Sequence, residues 1–209
     1  CMLASNIDGV YVATDSQEIK EQVEKYGGKV IMTSVEHQTG TDRIAEAAQD
    51  IDADIIVNVQ GDEALVNPEY IDKAVDSLIS SEADVAILVN PFNKRNSPSD
   101  IKVVLNKRDE IMYLSRADIP SDARVSNPKM LKAYHIVPFR KYFLLQYAKW
   151  KKTELEQIEF NEYLRILEKG HKIQAVRVES DAVSVDTQDD LNYVIKKMKE
   201  DKLFNKYKI

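Results

Sequence analysis

The sequence predicts an α/β fold, a mostly parallel twisted sheet with helices on both faces, from three observations. Short β-branched runs alternate with helix-spaced apolar patterns from residue 9 to residue 89, and such alternation implies right-handed βαβ crossovers. The run IIVNV at 55–59 has the near-continuous apolar character of a strand covered on both sides. A chain of 209 residues with 44% hydrophobic content encloses one substantial core, so a single domain over 1–209 is expected, with a smaller element attached.

Residues 9–13 (GVYVA) read as the first strand. Asp15, with Glu18 three residues on, reads as a capping-box start for a helix that runs to Tyr26 and is closed by Gly27 and Gly28. Residues 29–32 form a second strand, 33–40 a loop, and Thr41 opens a helix that turns Ile44, Ala45 and Ala48 to the core. The strand in 54–59 stops at Gly61, and Pro68 opens a helix with Tyr70, Ile71, Ala74, Val75 and Leu78 at helical spacing. Residues 84–89 (DVAILV) add a buried strand.

Past Asn90 the pattern changes. A polar loop (90–100) leads to strands at 102–106 and 111–115, joined by the turn-rich 107–110 as a hairpin. A loop at 120–128 precedes a strand near 131–139 and an apolar helix around 142–147. The segment 91–139 is read as an insertion carrying a dimerisation hairpin. An isolated hairpin is marginal in water, and Val103, Val104, Leu105, Ile111, Tyr113 and Leu114 are too apolar to face solvent on both sides. Thr153 with Glu156 caps a helix that ends at Gly170, and 173–178 alternate as a strand. A last helix passes through Leu191, Val194, Ile195 and Met198, with lysines at its negative pole.

Composition excludes several classes of function. A net charge of -6 without a basic tract argues against a general nucleic-acid binder. Cys1 is the only cysteine, which excludes an intrachain disulfide framework and a cysteine-rich zinc site and fits a reducing compartment. No apolar run is long enough to span a bilayer, and the first residues do not resemble a signal peptide, so a cytoplasmic protein is expected. The chemistry concentrates after Gly61. Asp62 and Glu63 follow a strand at the end where open sheets bind ligands, well placed to hold a divalent cation, although a solvated turn is the competing reading.

VYVATDS (10–16), HQTGTDR (37–43), VNVQGDE (57–63), YLSRADIP (113–120), LEQIEFNEYLR (155–165) and VSVDTQDDL (183–191) stand in one order. With them the chain resembles the 3-deoxy-manno-octulosonate (Kdo) cytidylyltransferase, or CMP-Kdo synthetase, family over nearly all its length. The resemblance implies a nucleotide-diphospho-sugar transferase fold of Rossmann-like type. It implies an enzyme that moves CMP from CTP to the anomeric hydroxyl of an acidic 2-keto-3-deoxy sugar, with magnesium, for lipopolysaccharide or capsule synthesis, as a homodimer. It makes Asp62 and Asp186 the metal ligands, and Asp62, Asp186 and Arg43 the catalytic group. Thr39, Gly40, Thr41, Arg43 and Asp62 fall in its nucleotide site, and Gln60, Arg116, His135, Glu162 and Tyr163 in its sugar site.

Plain structural roles compete at several of these positions. Asp186 is equally suited to cap the last helix, with Thr187 and Asp189 beside it. Arg43 suits bidentate contact with a phosphate or a sugar carboxylate, or a surface pairing with Glu46 or Glu36. His37 reads as a loop histidine bonded to backbone rather than a metal ligand, and Gln60 as a ligand contact or a cap on the sheet.

Departures from the family pattern bear on the substrate. The family's His-Leu-Gly-Ile-Tyr-Gly-Tyr strand reads here Ala133-Tyr134-His135-Ile136-Val137-Pro138-Phe139, so its sugar-contacting His aligns with Ala133 and its first Tyr with Val137. Its Glu-Gln pair is Glu162-Tyr163. Strand alternation turns His135 to the side of Ala133, where it replaces the lost histidine. A nine-carbon nonulosonic acid as substrate, or a non-catalytic α/β paralogue, are the alternatives. The family also carries a phosphate-cradling loop ahead of the point where this sequence starts, so a strand, loop and helix are expected to precede Cys1.

Overall fold

In the computed structural model, which describes residues 1–180 and 184–207, strand and helix alternate through the first half of the chain. β1 (Tyr11–Thr14) leads into α1 (Gln17–Lys25), β2 (Lys29–Met32) into α2 (Gly40–Ala47), and β3 (Ile55–Val59) into α3 (Pro68–Ser80), before β4 (Val85–Phe92). Pro68 sits in the first turn of α3, where a missing N–H costs nothing, and Asn67 caps that turn by accepting from the Glu69 N–H at 3.0 Å. Four strands follow, β5 (Lys102–Leu105), β6 (Ile111–Ser115), β7 (Met130–Tyr134) and β8 (Ile136–Arg140). The chain then forms α4 (Lys141–Tyr147), α5 (Glu154–Glu159), α6 (Leu164–Glu168), β9 (Ile173–Arg177), α7 (Gln188–Lys199) and α8 (Phe204–Tyr207).

The α/β arrangement holds, but the sheet is mixed rather than mostly parallel. β1 and β2 pair in parallel as a two-stranded unit of their own, and β3 pairs antiparallel with β8 instead of joining them. The larger sheet runs β3-β8-β4-β7-β5-β6, with β9 parallel to β4 on the latter's other edge. Its remaining pairings are antiparallel. The cause lies in the second half of the chain, where β5 to β8 return by tight turns and loops without the helical crossovers that parallel neighbours need.

Residues 131–139, expected as one strand, form two, with His135 between them. β7 meets β4 at Tyr134 opposite Leu88, and β8 meets it again at Phe139 opposite Val85, so three steps on β4 face five on the returning chain. An offset of two keeps the alternation of faces intact. Ala133, Val137 and Phe139 enter the core beneath α2, α4 and α6, while Tyr134 and Ile136 enter the core beneath α3.

The helix expected from Thr153 to Gly170 is broken. Thr153 starts it, its N–H donating to Glu156 Oε2 at 3.0 Å, but Phe160 takes a left-handed conformation (φ 49°) that ends α5. Asn161 then closes a turn by accepting from the Tyr163 N–H at 3.0 Å. In α1 the cap falls on Ser16, which accepts from the Ile19 N–H, and Asp15 is left for another partner.

The predicted hairpin is present as β5 and β6, and it begins with an unusual residue. Lys102 has no solvent exposure, and its ammonium donates to the carbonyls of Ser97 at 2.8 Å, Asp100 at 2.9 Å and Arg116 at 2.5 Å, with Asp118 at 3.7 Å. One side chain therefore ties the loop before β5 to the loop after β6. Lys102→Met fills the volume but strands these acceptors and the buried Asp118 oxygen. It is expected to lower the unfolding free energy by about 3 kcal/mol in urea melts of unchanged slope. A loss below about 1 kcal/mol would mean that water replaces the ammonium.

Candidate active site

Two acidic loops meet at the carboxyl end of β3. The chain turns tightly after Gly61, with Glu63 N–H donating to the Gln60 carbonyl at 3.2 Å and Ala64 N–H to the Asp62 carbonyl at 3.0 Å. The segment 184–187 lies alongside, its Val185 N–H donating to the Asp62 carbonyl at 3.1 Å and Ser184 Oγ to Glu63 Oε1 at 2.8 Å. Residues 184–186 are not a strand, and Val183 of the VSVDT motif lies outside the described residues. Thr187, not Asp186, caps α7: its Oγ1 accepts from the Asp190 N–H at 3.2 Å, and Asp190 Oδ2 accepts from the Thr187 N–H at 2.9 Å. Asp186 is thereby exposed beside Asp62 with its carboxylate outside the cap.

The donor set suits a hard cation shared with a substrate. Burial pushes the Glu63 carboxyl above the usual carboxylate range, the Ser184 bond opposing, and the charges of Asp62 and Asp186 push it further. Asp62 Oδ1 is buried without a hydrogen-bond partner, an oxygen left over in the way a metal ligand would be. Among the described residues no group of three or more His, Cys, Asp or Glu is arranged to hold a metal ion. The fit is to an ion such as magnesium, which takes one or two carboxylates and completes its shell with phosphate oxygens and water.

A second group of polar side chains lies at the start of α2. Thr39 caps that helix, accepting from the Asp42 N–H at 3.2 Å. Thr41, fully buried, donates to Glu162 Oε1 at 2.9 Å and accepts from Asn58 Nδ2 at 3.4 Å. Burial pushes the Glu162 carboxyl up, against hydrogen bonds from Thr41 and Thr39. Tyr163, buried next to it, stacks on His135 with centroids 6.1 Å apart and planes at 20°. Burial, with Lys132 and Arg116 adding, pulls the His135 imidazole down to about 4, so it is neutral near pH 7. His135 lies on the side of Ala133, as alternation predicts, since its ring packs on Tyr163, which shares a core with Ala133.

The register places Gln60 in this group. Val59 opposite Ile136 is the last β3–β8 pair, and Gln60 and His135 are each one residue beyond it. Gln60, His135, Glu162, Tyr163, Thr39 and Thr41 thus gather around the end of β3, two residues from Asp62. A Cβ built at Gly40 or Gly61 meets no protein atom within 4 Å, so the space beside both loops is open to a ligand.

Two arginines stand apart. Arg43 donates to Asp15 Oδ2 at 3.0 Å, Thr33 Oγ1 at 2.6 Å and the Ser34 carbonyl at 3.3 Å. It bridges α2 to the ends of β1 and β2, and Asp15 takes the place expected of Glu46 or Glu36. Arg116 donates to the carbonyls of Glu159 at 2.8 Å, Pro98 at 2.7 Å and Phe160 at 3.0 Å. His37 contacts the Glu46 carboxylate rather than backbone, and that bond holds Glu46 below the usual carboxylate range. A cleft of about 1020 Å³ opens beyond these residues, between α2 and the loop after α4. It contains neither acidic loop, and His37, Glu46 and Arg165 on its walls are already paired within the protein.

Sequence reasoning missed Asn58, Ser184 and the burial of Glu63. Asn58 was visible as a polar residue inside an apolar strand. Nothing local marks Ser184, whose partner is 121 residues away.

Comparison with known proteins shows what the chain as a whole is similar to. A family model described as cytidylyltransferase matches residues 2–173. A 3-deoxy-manno-octulosonate cytidylyltransferase of Geobacter metallireducens is 38% identical over 93% of this chain and 83% of its own length. One of Vibrio parahaemolyticus is 41% identical over 92% and 82%. Among solved structures, a CMP:2-keto-3-deoxy-manno-octonic acid synthetase complexed with CTP superposes with a TM-score of 0.90 at 31% identity, covering 95% of this chain and 84% of its own.

Glu162 supplies a test of the buried group. Its carboxyl is raised in the fold, so the stability it contributes is complete below the unfolded value of about 4.3 and is lost as pH rises through the folded value. Glu162→Gln keeps an acceptor for Thr41 and removes the ionisation. The variant is expected to melt higher than the parent at pH 8 and nearly with it at pH 4.5 in scanning fluorimetry. Equal midpoints at both pH values would show that Glu162 ionises without penalty.

Proposed function

The chain belongs to the cytidylyltransferase family, and on that premise we propose that it transfers CMP from CTP to the anomeric hydroxyl of Kdo or a close 2-keto-3-deoxy sugar acid. The meeting of Asp62 and Asp186 at the end of β3, two residues from the polar group around Gln60, carries this reading. The sugar hydroxyl gives its proton to water and bonds to the α-phosphorus as the bond from that phosphorus to the bridging oxygen breaks, and pyrophosphate leaves with that electron pair. A magnesium ion held by Asp62 and Asp186 would supply neutralisation of phosphate charge.

The protein's own groups bind and orient. Backbone groups flanking Gly40 read the edge of cytosine, where one donor and one acceptor separate C from U. Thr39 is fixed by its cap and Thr41 by Glu162, so the loop is formed before the base arrives. Glu162 and Gln60 meet sugar hydroxyls, and the neutral His135, backed by Tyr163, walls the sugar without repelling a cation. In this reading Arg43 holds the strand ends that frame the nucleotide, and Arg116 braces the loop 97–99 against α5, since both guanidiniums have partners inside the protein.

A homodimer through β5 and β6 completes the proposal. Val103, Ile111 and Leu114 of that hairpin are buried in the chain's own core, whereas Met112 is 62% exposed, an apolar residue available to a second copy. No helix among the described residues is long and apolar enough to cross a membrane, and we place the enzyme in the cytoplasm, upstream of surface polysaccharide assembly.

Pyrophosphate release by the full-length protein, measured with each of the four nucleoside triphosphates and with Kdo, its 8-amino analogue and nine-carbon acids, is expected with CTP and an octulosonate. Absence of CTP-dependent release with every sugar would refute the reading. Asp62→Asn and Asp186→Asn are each expected to lower kcat/KM by about 100-fold or more, equivalent to roughly 3 kcal/mol of transition-state stabilisation. Light scattering over a concentration series is expected to give twice the chain mass, and a monomer at micromolar concentration would remove the dimer.

A further inference from the structure

Two bonds join the segment that carries Asp186 to the acidic loop of β3 among the described residues. Upstream, Tyr70 Oη donates to the Glu179 carbonyl and Asn90 Nδ2 to the Ser180 carbonyl at 3.4 Å, anchoring the chain before residue 181. Downstream, the Thr187–Asp190 cap is closed on itself. Helix α7 adds little anchorage, because Val194 is its buried side chain while Leu191, Tyr193 and Ile195 are exposed. Between these points, the Val185 to Asp62 backbone bond and the Ser184 to Glu63 bond join the two loops.

We propose that Glu63 is a positioning residue, whose bond to Ser184 latches the Asp186 loop onto the Asp62 loop and sets the spacing at which the two aspartates share one divalent cation. The inference rests on the cation role read for these aspartates above. Glu63 is 7% exposed and lies beside two like charges, an unfavourable place for a carboxyl unless a hydrogen bond holds it there. The observed bond meets that need and spans the gap between two loops with no other side-chain tie described. A buried acceptor at this point fixes an otherwise exposed loop, and such supporting bonds around a metal site are commonly worth about 10- to 100-fold in affinity.

The test measures manganese(II) binding with CTP present, as loss of the free-ion electron paramagnetic resonance signal beyond that caused by CTP alone, alongside the magnesium dependence of pyrophosphate release. Glu63→Ala and Ser184→Ala are each expected to weaken manganese binding by about 10-fold or more. They should raise the magnesium concentration for half-maximal rate to match, with KM for the sugar unchanged. Glu63→Gln keeps an acceptor for Ser184 and should stay within about 3-fold of the parent. Ser184→Ala removes a single hydroxyl, so it answers the question if Glu63→Ala fails to fold. Parent-like binding in Ser184→Ala, or a loss in Glu63→Gln as large as in Glu63→Ala, overturns the latch while the cation reading stands. A parent protein that binds no manganese overturns the cation reading, and the latch with it.

Discussion

Strand β4 has no exposure from Val85 to Val89, so neither of its edges can turn to water and each of its backbone groups needs a partner in an adjoining strand. β9 serves one edge and the returning chain of β7 and β8 serves the other. Because the returning chain bends at His135, its own outer edge is shared, β5 pairing with β7 and β3 with β8. The sheet therefore forks at the bend. The fork brings the end of β3, the His135 ring and the start of α6 to one place, and that is where the polar residues gather. A doubly wound parallel sheet would build its ligand site in a crevice between crossovers, whereas here an antiparallel return does the same work.

Much of the secondary structure was legible from residue pattern, and the pairing direction was not. IIVNV is apolar on both faces whether its neighbour runs parallel or antiparallel, so periodicity alone could not separate the two. Start and stop signals were read correctly at Pro68, Thr153 and Gly170, because capping chemistry is local. The break inside 154–168 was not, since Phe160 is no helix breaker by propensity. The one clue was Asn161, whose side chain competes for backbone donors in turns, and it acts here by accepting from Tyr163.

The acidic residues of the site were legible for a related reason. Asp62 directly follows β3, whose side chains are half-buried apart from Asn58 rather than covered on both faces as expected, and the structure relieves Asp186 of its competing duty by giving the cap to Thr187. Arg43 shows the limit of that kind of reasoning. Its pairing with Asp15 depends on β1 and β2 lying beside α2, and no spacing along the chain encodes that contact. The same holds for Glu162, which is 121 residues from Thr41 and whose raised carboxyl reflects burial that only the assembled core provides.

The offset at His135 has a consequence for how this protein can change over evolutionary time. Two additional residues leave inward and outward positions of β8 where they were, but a single inserted or deleted residue would send Val137 and Phe139 to the opposite face and exchange the two cores. Length variation at the fork is therefore quantised in pairs. Lineages of this fold should differ there by even steps, each moving the residue at the apex to a new depth, while the strands on either side keep their side chains in place.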